Sequence, residues 1–73
     1  MSTLDLHGTR HHQVDEITRS FLNFIDLPCQ IITGNSEQMK TIVKNVVREY
    51  EWFCCEKDSY NQGTLIVTEE RKQ

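Results

Sequence analysis

Leu4-Asp5-Leu6-His7-Gly8 is the stretch on which the reading of this chain turns. Extended backbone sends successive side chains to opposite faces. Leu4 and Leu6 therefore share one face, which can be buried, while Asp5 and His7 share the other, which can stay accessible. Gly8 ends the strand and Thr9 is a candidate N-cap, its hydroxyl able to accept from the first helical turn. Val14, Ile17, Phe21 and Ile25 then recur at helical spacing, with Leu22 and Phe24 widening the stripe. The pattern predicts a strand over 2–7 and a helix over about 10–26. Pro28 stops that helix because it disfavours helical geometry at Leu27.

The same alternation of strand, glycine and helix repeats further on. Residues 29–33 are short and partly β-branched, as an interior strand requires. Gly34 turns the chain, and Asn35 or Ser36 caps the next helix; Asn35 with Gln38 three residues later has capping-box spacing. Met39, Ile42, Val43, Val46, Val47 and Tyr50 form an unbroken apolar helical stripe. A third strand is expected from Trp52 to about Lys57 and a fourth over 64–68, joined by a hairpin loop over 58–63 rich in turn residues. Residues 69–73 read as a charged tail.

The element order is thus β-α-β-α-β-β. Two strand–helix–strand crossovers orient strands one to three in parallel, and the hairpin makes strand four antiparallel. The expected fold class is α/β: a two-layer sandwich, with a four-stranded mixed sheet carrying both helices on one face. Four strands are too few to support a doubly wound three-layer alternative. Residues 1–73 form one domain, with its core over about 3–68.

Composition limits the function classes. Hydrophobic residues make up 37% and charged residues 26%, the balance of an ordinary globular chain rather than a disordered one. No apolar run approaches the roughly 18 residues of a membrane span. Met1-Ser2-Thr3 has neither the basic nor the apolar block of a secretory signal, so the expected location is the cytoplasm. Three cysteines, Cys29, Cys54 and Cys55, lack C-x-x-C spacing, and reduced, half-buried thiols are expected without a zinc site. A net charge of −3 is unusual for a domain that grips a phosphate backbone through bulk electrostatics, so any nucleic-acid contact is expected to be weak, local or helped by a partner.

Parallel strands one and two finish at the same edge, each followed by glycine and a helix start. Unpaired amides and aligned peptide dipoles at such points attract anions, and open α/β sheets place ligands beyond these strand ends. Asp5 and His7 reach that edge, with His11, His12 and Arg10 beside them, so phosphate is the candidate ligand. The imidazoles could donate to phosphate oxygens or shuttle protons. A solvated Asp5, a structural His7 and exposed helix-start histidines remain the plainer alternative. A metal set of Asp5, His7 and His11 matches in ligand type but has no helical H-x-x-x-H arrangement. Lys40, Lys44 and Arg48 could extend a basic track, which Glu37, Glu49 and Glu51 dilute. Trp52 and Tyr60 could stack on bases, or simply pack.

Over about residues 3–68 these features resemble the Smr (small MutS-related) domain. Leu4-Asp5-Leu6-His7-Gly8 is similar to the family's first motif and Ile31-Ile32-Thr33-Gly34 to its second, the Ile-Thr-Gly that opens a Gly-x-Gly loop. Residues 61–67, Asn-Gln-Gly-Thr-Leu-Ile-Val, fall where the family has a glycine-rich turn before its last strand. The resemblance implies a fold similar to the C-terminal domain of bacterial translation initiation factor three. It also implies binding and endonucleolytic cleavage of nucleic acid, RNA ahead of DNA, in some members on stalled ribosomes. Asp5 and His7 match the residues linked to cleavage, and Gly34 the first glycine of the substrate loop. The chain departs from the pattern where Thr33-Gly34-Asn35-Ser36 lacks the second glycine and the loop cation.

Together these readings assign catalysis to Asp5 and His7, and substrate contact to Gly8, Arg10, His11, His12, Gly34, Asn35 and Ser36. No cofactor is required if the ribose 2′-hydroxyl is the nucleophile, whereas Mg2+ on Asp5 is the alternative route. A ribosome or larger protein complex is a candidate partner, and a membrane is not. Two competing classes stay open: a non-catalytic binding module, and a site for a small phosphorylated metabolite.

Overall fold

The computed structural model describes residues 1–57 and 63–69. Its elements are β1 (Ser2–Asp5), α1 (His11–Phe24), β2 (Cys29–Ile32), α2 (Glu37–Glu49), β3 (Phe53–Glu56) and β4 (Thr64–Thr68). The expected 58–63 loop, with Tyr60, lies outside the described residues except for Gly63, as does the tail beyond Glu69. The sheet order is β1-β2-β4-β3. β1 and β2 are parallel, and β4 runs antiparallel to β2 on one side and β3 on the other. Strands one to three therefore share a direction, with β4 inserted between the second and third.

Alternation along the strands sets the layers. Cys29, Ile31, Leu65 and Val67 are buried beneath Val14 and Leu22 of α1 and Met39, Val43, Val46 and Val47 of α2. Gln30, Ile32 and Ile66, which alternate with them along the strands, point to the opposite and more accessible face. There Gln30 Nε2 donates to Thr3 Oγ1 at 2.9 Å. Both helices lie on one face and touch each other, giving a two-layer α/β sandwich with one open sheet face. Each fully buried aliphatic side chain in this layer stabilises the fold by about 1.5–3 kcal/mol. Thr18, also fully buried, keeps its Oγ1 with no hydrogen-bond partner among the described residues.

Two ion-pair clusters tie the elements at the side, one between the two helices and one between α2 and the sheet. Arg19 bridges Asp15 on its own helix and Glu49 of α2, the latter at 2.6 Å. The hydrogen bond from Arg19 holds the Asp15 carboxyl below the usual range, against a smaller opposing effect of burial. Lys40, only 4% exposed, meets Glu37 at 3.3 Å and Glu56 of β3 at 3.2 Å. Burial disfavours its charge, but hydrogen bonds to Glu56 and Glu37 outweigh that and raise its pKa. The Lys40 expected in a basic track is thus neutralised within the fold. All three cysteines are free, and burial pushes the Cys29 and Cys54 thiols up to about 11.

The helix starts differ from expectation in detail. Arg10, not Thr9, is the N-cap of α1, and no side chain caps that helix. At α2 the cap is Ser36, whose Oγ accepts from Met39 N at 3.1 Å, so the Asn35–Gln38 spacing is not used. No helix among the described residues is long and apolar enough to cross a membrane.

Candidate functional site

Leu6 fixes the position of everything that follows it. It is fully buried, and its amide donates to Ile32 O at 2.8 Å, continuing the β1–β2 pairing past the strand end. The chain then turns: Thr9 N donates to Leu6 O at 2.9 Å, and Gly8 takes φ +81°, a left-handed conformation that favours glycine. Asp5 Oδ1 accepts from the His7 amide at 2.9 Å, closing the turn around itself. Its carboxylate therefore braces the main chain that carries His7.

The second corner is built from two segments distant in sequence. Gly34 has φ +68°, and both Thr33 N and Gly34 N donate to Gly63 O, at 2.8 and 3.1 Å. Thr33 Oγ1, on a buried side chain, donates to Gly34 O at 2.9 Å. A Cβ on Gly63 would stand 3.2 Å from Gly34 Cα, so this close approach favours glycine, and a side chain would have to push the Gly34 backbone back by a few tenths of an ångström. The Gly34 amide is consequently engaged inside the protein, contrary to the sequence expectation that it faces a ligand. Sequence reasoning misses Gly63 and Thr33 as brace residues, because their roles depend on a meeting of segments thirty positions apart that no local pattern encodes.

Both corners open onto one shallow concavity of about 610 Å³. His7, Gly8, Arg10, His11 and His12 border it from the first corner, and Gly34, Asn35 and Ser36 from the second. Thr9, Thr33 and Met39 complete the lining, with buried Met39 as an apolar floor. Asp5 is outside it. The two sides are joined where His11 Nε2 lies 3.3 Å from Ser36 Oγ. Because Ser36 Oγ already accepts from Met39 N, its proton is free to point at an unprotonated Nε2; a protonated Nε2 would instead donate to it. His7 and His12 are exposed, as are Arg10 and Asn35.

The concavity thus offers three imidazoles and a guanidinium at the start of α1, a helix whose first turn contains no acidic residue. Such a surface can hold an anion and move protons on and off its neighbours. Asp5, His7 and His11 do not form a common metal-binding cluster, and no group of three or more ligating side chains that could hold a metal occurs among the described residues. Comparison with known proteins adds no relative: no family model, no curated protein and no solved structure matches the chain.

Proposed function

We propose that this chain is an Smr-like domain that binds RNA at the histidine-lined mouth and cleaves the strand there. The observation that carries the reading is the convergence of His7, His11, His12 and Arg10 on one concavity beside the uncapped start of α1. A phosphodiester seated there meets a cation and helix-start amides together. In the reaction, His7 takes the proton of a ribose 2′-hydroxyl, whose oxygen attacks the adjacent phosphorus. His12 gives a proton to the departing 5′-oxygen, leaving a 2′,3′-cyclic phosphate and a 5′-hydroxyl. Arg10 balances charge accumulating on the phosphoryl oxygens. Asp5 acts as a positioning residue, through the main chain of His7.

The test is highly purified protein against end-labelled RNA, beside His7→Ala, with and without EDTA. Wild type is expected to cut with cyclic phosphate ends in EDTA, and His7→Ala to be slower by roughly 10²–10⁴-fold. Loss of cutting in EDTA would assign the reaction to Mg2+ and admit DNA as substrate. Equal residual cutting by both proteins would reduce the role to a non-catalytic module docking on RNA, a ribosome or a protein complex. Two observations favour that second reading: the Asp5 carboxylate and the Gly34 amide are both engaged by the fold itself.

A further inference from the structure

A second concavity, about 260 Å³, lies at the far end of α2. Lys44, Val47 and Arg48 form its helical wall, and Trp52, Phe53 and Cys54 the wall at the start of edge strand β3. Lys44 and Arg48 are exposed and one helical turn apart, which separates their Cβ atoms by about 5–6 Å. Neither side chain has an ion-pair partner among the described residues, whereas Arg19 and Lys40 each hold two carboxylates. Tyr50 stacks on Trp52 with centroids 5.0 Å apart and 26° between planes. Tyr50 does not itself line the groove. Phe53 is 43% exposed, one of only three large apolar side chains so open among the described residues.

We propose that this groove is a nucleotide subsite for single-stranded RNA, holding one base against Trp52 and its flanking phosphates on Lys44 and Arg48. The proposal takes RNA as the ligand of the mouth and adds a second point of attachment. An acidic peptide would satisfy the two cations but leave the aromatic wall unused. A nucleotide uses both, since bases stack on aromatic rings while phosphates follow cations. The helix from Ser36 to Arg48 places the groove roughly 18 Å from the mouth. Between them stand Glu37, Lys40 and Glu56, one net negative charge. The strand therefore touches two separate points rather than one continuous track, and a dinucleotide is too short to occupy both.

Trp52 is the single tryptophan of the chain, so its fluorescence reports on the groove alone, while histidine ring protons in NMR spectra report on the mouth. A dinucleotide, a long oligoadenylate and polyglutamate are titrated against both signals. The long strand is expected to quench Trp52 and shift the ring protons at one common midpoint, and to bind more tightly than the dinucleotide, which reaches only one of the two points at a time. Lys44→Gln combined with Arg48→Gln is expected to weaken the long strand roughly tenfold. The same double variant should lower the salt slope of binding by about 1.4, or ~0.7 for each phosphate that is no longer neutralised. Ring protons that shift while Trp52 fluorescence and the salt slope stay unchanged would overturn the groove and leave the mouth standing. Quenching with silent histidines would do the reverse. Equal quenching by polyglutamate would overturn the RNA subsite in favour of an acidic protein segment.

Discussion

The two glycine corners are alike in sequence and unlike in structure. At each, a strand runs into a left-handed glycine and then a helix: Gly8 at φ +81° before α1, and Gly34 at φ +68° before α2. Nothing lies within 4 Å of a Cβ built on Gly8, and α1 begins with no side-chain cap and no acidic residue in its first turn. Gly34 is held by Gly63, and α2 begins with the Ser36 cap and with Glu37 in its first turn. The positive end of the α2 dipole is answered within the protein, while that of α1 is left to whatever enters the mouth. One corner is thus closed by the fold and the other is left open, although the motif alone marks both as anion sites.

Gly63→Ala breaks the closed corner most directly. Its Cβ would press on Gly34 Cα, C and O at 3.2–3.4 Å, and backbone atoms cannot rotate away. We expect a loss of about 2 kcal/mol in denaturant unfolding, with faster hydrogen exchange at the Thr33 and Gly34 amides. Gly8→Ala is the control: it meets open space, so only the left-handed backbone penalty applies, about 1 kcal/mol net, and those two amides keep their protection. Equal stability losses with unchanged exchange in both variants would mean that Gly63 does not close the corner.

How much of this could be read from the chain depends on the range of the interaction. The four strands, the two helices and their single covered face follow from residue periods of 2 and 3.6, which are local. Insertion of β4 between β2 and β3 is a pairing choice between distant segments, and neither strand's pattern records it. The alternation of Leu4, Asp5, Leu6 and His7 leads to the rim of the sheet, where eight of the nine named residues border one concavity. Asp5 does not, because its carboxylate is close enough to bond the amide two residues on, an outcome that competes with facing a ligand. Ser36 rather than Asn35 is the cap through a shift of one residue, below what a capping pattern resolves.

The open corner can be closed on purpose. Arg10 is the N-cap of α1, with the extended backbone (φ −71°, ψ 139°) that a capping side chain needs, but it makes no cap bond. Arg10→Asp should supply that bond and a favourable charge at the helix start, stabilising the protein by about 1 kcal/mol. The same substitution removes the guanidinium and places a carboxylate at the mouth, so RNA affinity is expected to fall more than tenfold. A variant that is more stable and still binds RNA as wild type does would show that the α1 start is not where phosphate sits.

The smallest effect is expected where α2 ends. Glu51 has φ +62°, the lone non-glycine in the left-handed region among the described residues. Its amide donates to Arg48 O at 2.9 Å, and Trp52 N reaches back to Val47 O at 3.3 Å, so the helix stops in a Schellman-type turn that glycine usually makes. A side chain in this conformation costs about 1–2 kcal/mol, and a flexible glycine returns about 0.5–1 kcal/mol of that as unfolded-state entropy. Glu51→Gly should therefore raise stability by only about 0.5 kcal/mol, seen as a higher denaturant midpoint at unchanged slope. Because Trp52 follows directly, the substitution also tests whether that turn sets the indole. Stability that rises while RNA quenching of Trp52 is lost would place the strain of Glu51 in the service of the groove; stability that falls would mean that the side chain of Glu51 stabilises the turn by more than its backbone strain costs.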